Sequence, residues 1–193
     1  VFTEGIKRYP EDPRMYRHRA HRFITLRRFR LAIDDFKKAA DLIKGKPPNR
    51  LHFNIWYHLG LSYYLENDLE NALSAYKECM KVSETDDKYV ATAHWMYMTL
   101  RLLGRESEAS KVLEKISKDM DIKENMQYFQ CVLMYKGKNT PKNLMDEARK
   151  QGEFGLTTIG YGVANWYNYN GEKDKAIETL REIHAVEGWA SFG

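Results

Sequence analysis

The stretch WYHLGLSYYLENDLENALSAY, Trp56–Tyr76, decides the fold. Trp56, Leu59, Gly60 and Tyr63 stand at offsets 0, 3, 4 and 7 and share one helical stripe. Ala72 and Tyr76, four apart, mark a second stripe beyond the break at Glu66-Asn67-Asp68. Two short amphipathic helices joined by a tight turn produce this pattern. Such a pair cannot bury both apolar faces alone, so the stretch predicts further copies.

The copies are present. Aligning on Ala72 brings Ala32, Ala109 and Ala176 into register, at successive gaps of 40, 37 and 67 residues. Sixteen residues upstream lie Tyr16, Trp56, Ala93 and Gly160; nine upstream, Phe23, Tyr63, Leu100 and Tyr167; four downstream, Phe36, Tyr76, Leu113 and Leu180. The gap of 67 nearly doubles the others and predicts a divergent copy within it. MQYFQCVLMYKG supplies its first helix, ending at Gly137, and Thr140-Pro141 the N-cap and first position of its second. The expected division is a partial repeat at 1–12, then repeats at 13–46, 53–86, 90–121, 123–151 and 157–190. Gly104, Gly137 and Gly171 each fall where a first helix must stop, a left-handed position glycine fills most cheaply. The first repeat has Arg27-Arg28 there, so its turn is expected to be tighter or strained. The paired prolines of GKPPNR oppose helix and predict a loop from about Lys44 to Leu51.

Hydrophobic residues are 43% of the chain and charged residues 30%, the balance of a soluble, folded protein. No stretch approaches the roughly 20 apolar residues that cross a bilayer. Val1 is not an initiator Met and the first residues read as helix interior, so a fragment or processed chain is expected. Cys79 and Cys131 sit in helical patterns far apart, as buried thiols do. The net charge of +4 is mild, but Arg14–Arg30 carries seven arginines and two histidines with no acidic residue.

Trp56, Leu59, Gly60, Tyr63, Ala72 and Tyr76 match W-x2-L-G-x2-Y…A-x3-F, and in this the chain resembles the tetratricopeptide repeat family. The set also resembles stand-alone bacterial repeat proteins with no assigned activity. The resemblance implies an all-α, right-handed superhelical solenoid of about five repeats. Gly60 and Ala72 then let helix backbones approach while aromatics fill the space beside them. GWASFG at the C-terminus is expected to begin a cap.

The resemblance also implies a concave groove lined by the first helices. Carried onto this chain, its positions give Arg14, Arg17 and His21; Tyr57, Leu61 and Tyr64; His94, Met98 and Arg101; and Tyr161 and Asn165. Family members that clamp a chaperone's terminal carboxylate use Lys and Asn at the fifth and ninth positions of the first repeat. Here those positions hold Arg17 and His21, followed by Tyr57 and Leu61, so that clamp is not reproduced. Arg14, Arg17, His18 and His21 recur at spacings of three and four. They either solvate a terminal helix pair, beside Asp12, Asp34 and Asp35, or gather charge for an anionic ligand. Arg19 stands where the signature has Leu, so its head must find a carboxylate or the repeat must open.

Rival chemistries are weaker. No H-E-x-x-H occurs, and His18 with His21 is a common spacing, so neither a metal nor a cofactor is implied. GLTTIGYG, Gly155–Gly162, lacks the Lys of a phosphate loop and reads as close helix packing. The charge is too small for nucleic acid. The sequence thus predicts a non-catalytic scaffold that binds a protein or peptide, an acidic or carboxylate-bearing segment fitting best. The alternative is a small-molecule or enzymatic pocket lined by His18, His21, His58 and His94; self-association through terminal repeats is a third expectation.

Overall fold

The computed structural model describes residues 1–187, and the GWASFG expectation lies outside them. Those residues form eleven α-helices with no strand among them. Contacts divide the chain into two units, residues 1–84 and residues 85–187. Among the described residues no helix is long and apolar enough to cross a membrane.

The first unit contains α1 (Phe2–Arg8), α2 (Pro13–Thr25), α3 (Phe29–Ile43), α4 (Arg50–Leu65) and α5 (Leu69–Lys81). Side chains that accept from exposed N–H groups set the starts. Asp12 caps α2 with Pro13 at the first position, Asn49 and His52 form a capping box on α4, and Asp68 caps α5. His52 is therefore spent on a helix end. The GKPPNR segment is a short connector between Ile43 and Arg50. Arg27 holds φ +57°, the left-handed conformation glycine takes in the later turns, so this turn carries mild strain; Asn67, at φ +60°, tolerates the same geometry better.

In this unit α3 packs against both α2 and α4, α5 packs against α4, and α2 touches α4 directly. Ala32, Ala72, Phe36 and Tyr76 are all fully buried. A Cβ on Gly60 would lie 2.5 Å from Cε1 of Tyr76, so only glycine lets that ring lie across α4. Arg19 finds its carboxylate across the repeat: Nε and Nη2 donate to Asp35 Oδ2 and Oδ1, each at 2.7 Å. The repeat stays closed because the side chain's head is neutralised where its stem is packed.

The second unit contains α6 (Asp86–Leu102), α7 (Glu106–Val112), α8 (Met126–Tyr135), α9 (Pro141–Lys150), α10 (Gly152–Tyr169) and α11 (Lys173–His184). Thr140 caps α9 through the N–H of Asn143, with Pro141 first in the helix. The second helix of the third repeat is only seven residues long. The chain beyond it folds as turns pinned to the start of α6: Asp86 accepts from Asp121 N–H at 2.8 Å. Asp87 accepts from the N–H groups of Lys123, Glu124 and Asn125 at 2.9, 3.0 and 2.9 Å. Those bonds outweigh the desolvation that opposes them and hold the Asp87 carboxyl below its usual range.

GLTTIGYG lies inside α10, where a Cβ on Gly160 would meet Ile183 at 2.5 Å and one on Gly162 the Tyr135 hydroxyl at 2.8 Å. Close packing explains these glycines. Leu180 differs from its repeat equivalents: Phe36 and Tyr76 are 0% exposed and Leu180 is 42% exposed. No later helix among the described residues packs on it.

The Arg19–Asp35 pair gives a direct test. Asp35→Ala strands a guanidinium that is three-quarters covered, and we expect a cost of about 2–3 kcal/mol, below a fully buried pair because water reaches part of Arg19. Arg19→Leu/Asp35→Ala leaves no orphan charge and should cost at most half as much in urea denaturation. Equal costs would show that the pair contributes nothing specific.

Candidate functional site

In the first unit α3 closes one side of α2 and α4, and the groove candidates of those two helices lie on other faces. Their environments differ sharply. Arg14 is committed: its Nε and Nη2 grip Asp12, with Nη2 at 2.7 Å. That hydrogen bond is also the main force lowering the Asp12 carboxyl's pKa. Arg17 has no such partner among the described residues. Its Nη1 donates to His18 Nδ1 at 3.2 Å, and its Nε is buried with no hydrogen-bond acceptor. Desolvation, then repulsion from Arg22 and Arg50, pushes its pKa down.

His21 sits in the same field. Its Nδ1 accepts from Arg22 Nη2 at 2.6 Å, and its ring meets His58 edge-on at 4.8 Å. Burial, followed by Arg17, Arg22 and His18, lowers its pKa. A guanidinium only donates, so His18 and His21 both accept through Nδ1 and are left with a proton on Nε2. His58 is held neutral, its pKa pushed down to about 3, chiefly by desolvation; its Nδ1–H donates to the Asn54 carbonyl at 2.7 Å. Tyr57 stacks on Phe53 at 5.5 Å and meets His58 edge-on at 5.2 Å, while Leu61 is half-buried. Tyr64 is 7% exposed and belongs to the wall.

Arg22 and Arg50 were not among the sequence candidates. The three- and four-residue spacing from His18 reaches Arg22, so that signal was available. Arg50 joins because α4 starts three residues before the expected repeat, at the Asn49–His52 cap. Phe2 stacks on His18 at 5.5 Å and closes one edge of the cluster.

In the second unit two of the groove candidates are buried. His94 is 1% exposed and Met98 fully buried. His94 stacks on Tyr128 at 4.6 Å and pairs with the Tyr135 hydroxyl at 3.3 Å, so it is packing material rather than a contact residue. The cause is the close approach of α10, where Gly162 brings its backbone against His94, Cys131 and Tyr135. Burial pushes the Cys131 thiol up to about 12, which leaves it inert. Arg101 is engaged: it donates to Asn170 Oδ1 at 3.0 Å and to the Tyr97 hydroxyl at 3.3 Å, and lies over the Tyr169 ring at 4.6 Å. Tyr161 and Asn165 line a groove of about 330 Å³ between α10 and α11, with Ile177 and Leu180 opposite. Among the described residues no cluster of His, Cys, Asp or Glu has the makings of a metal site.

Residues 53–86 match the family model described as tetratricopeptide repeat. A comparison with curated proteins finds no match. Among solved structures the chain is similar to YrrB, described as a TPR protein with an unusual peptide-binding site, at 18% identity and a TM-score of 0.54, covering 99% of this chain and 96% of that one. It is also similar to the nearly identical TPR-like repeats of a putative kinesin light chain from Podosopora anserina, at 14% identity and a TM-score of 0.56, covering 96% and 99%. At these identities the likeness is one of fold. The chain carries a tetratricopeptide repeat at 53–86 and has the fold of tetratricopeptide-repeat proteins along its length.

The buried His94 makes stability depend on pH. Burial pushes its pKa down to about 3. The unfolded chain therefore takes up this proton first, and the contribution of neutral His94 is complete above about pH 6.5 and lost as the pH falls below it. Wild type and His94→Gln, compared by urea denaturation, should differ less at pH 5 than at pH 6.5, by about 1–2 kcal/mol. A difference independent of pH would mean His94 is protonated in place.

Proposed function

We propose that the chain is a non-catalytic scaffold that binds a protein or peptide segment on the first-helix face of its first unit, an acidic or carboxylate-bearing segment fitting best. The observation that carries this reading is the run of contacts from Arg17 and His21 through the His58 ring to Tyr57. A cationic patch whose central guanidinium has no carboxylate partner among the described residues is linked through His58 to the half-buried Tyr57 ring. Aromatic area supplies binding energy at low entropic cost, and the cations orient an anionic group and speed encounter.

The fold supports the reading by analogy, since stacked helix pairs mostly act by recognition and YrrB is described as having a peptide-binding site. The groove's extent contracts from the sequence list. Arg14 is held by Asp12, and Tyr64, His94 and Met98 are buried. Arg17, His21, Tyr57 and Leu61 remain as contact residues, with Tyr161 and Asn165 a separate surface of the second unit. An enzymatic pocket is a poorer fit, because His58 and His94 titrate near 3 and are too weakly basic to serve as a general base at neutral pH.

Affinity capture from the source cell's lysate tests this. A protein retained by wild type should be lost, by at least tenfold in recovery, from Arg17→Glu/Tyr57→Ala, with both proteins folded by circular dichroism. Equal capture by the two would remove the first-unit face from the account.

A further inference from the structure

We infer that the group seated on Arg17 is a phosphoryl group rather than a lone carboxylate; this rests on the proposed binding face and names its chemistry. The protein shows how it holds carboxylates. Asp35 takes the fork of Arg19 and Asp12 the fork of Arg14, one guanidinium to each carboxylate. The Arg17 cluster is built differently. Arg22 and Arg50 both lie close enough to repel Arg17, His18 and His21 take guanidinium donors from Arg17 and Arg22, and no carboxylate pairs with Arg17 among the described residues.

Charge count and donor count then agree. One carboxylate offsets a single positive charge and leaves the remaining guanidiniums unneutralised. A phosphoryl ester carries about −1.5 to −2 charges at neutral pH and three acceptor oxygens. The donors available are of the matching kind: the remaining N–H groups of Arg17 and Arg22, and the Nε2–H of His18 and His21, whose Nδ1 atoms are already occupied by guanidinium donors. The Arg17 Nε is covered, so the terminal nitrogens of Arg17 are the ones that meet the ligand. Phe2 stacks on His18 and Tyr57 meets His58 edge-on, so aromatic rings border the cluster.

Thermal unfolding in sodium phosphate, O-phospho-L-serine, sodium glutarate and sodium chloride, at matched ionic strength and pH 7.5, decides the matter. Phosphate and phosphoserine should each raise the midpoint by about 2–4 °C over chloride, with glutarate well below them. Arg17→Gln should abolish the shift and Arg22→Gln, at an exposed position, should reduce it without disturbing the fold. Arg17→Lys keeps the charge but not the fork and should recover only part of the shift. A shift with phosphoserine as large as with phosphate assigns the site to a phosphorylated side chain, and a shift with phosphate alone assigns it to a free phosphate. Glutarate matching phosphate would overturn the inference while leaving an acidic-segment face intact. No shift beyond chloride would overturn it as well, and the capture experiment then stands or falls separately.

Discussion

Everything in the first unit depends on one close approach. Gly60 lets the Tyr76 ring lie across the backbone of α4 at a distance no side chain permits. That contact closes one side of α4 with α5, while α3 closes the side between α2 and α4. The half-buried Tyr57 is linked to His21 through the His58 ring. The same device recurs in the second unit, where Gly160 and Gly162 seat α10 against α11 and α8. There the approach also encloses His94 and Met98.

Charge is managed by pairing wherever the fold needs a cation inside it. Arg19 lies within the packed repeat and is held by a bidentate carboxylate; Arg101 is shared among Asn170, Tyr97 and Tyr169. Against that habit the Arg17 cluster stands apart. Arg17, Arg22, Arg50, His18 and His21 gather there, and Asp12, the acid that acts on His18, is already held by Arg14. Keeping such a cluster costs stability through desolvation and like-charge repulsion.

Much of this was legible in the sequence because the repeat is a packing rule. Alanines at one spacing and a large aromatic or leucine four residues later read directly as helix pairs, and Thr140-Pro141 marked the start of α9 in the least regular copy. The strain at Arg27 and the carboxylate for Arg19 were foreseeable as needs, but which acid would answer was not, since Asp34 and Asp35 differ only in the face they occupy. The burial of groove candidates was least legible where inter-helix distance matters. His94 and Arg17 occupy equivalent kinds of position, yet Gly162 draws α10 onto the former, a contact distant in sequence that no local pattern encodes. The turns after α7 were likewise illegible, because they are fixed by Asp86 and Asp87, which lie far upstream at the start of α6.

The most direct test of the central claim is a double-mutant cycle on Gly60 and Tyr76, read by urea denaturation. On helix propensity alone Gly60→Ala should stabilise by about 1 kcal/mol. With the ring lying across α4 the opposite sign is expected, a loss of about 2 kcal/mol in the wild-type background, turning neutral or stabilising once Tyr76→Leu removes the ring. A stabilising Gly60→Ala in the wild-type background would contradict it.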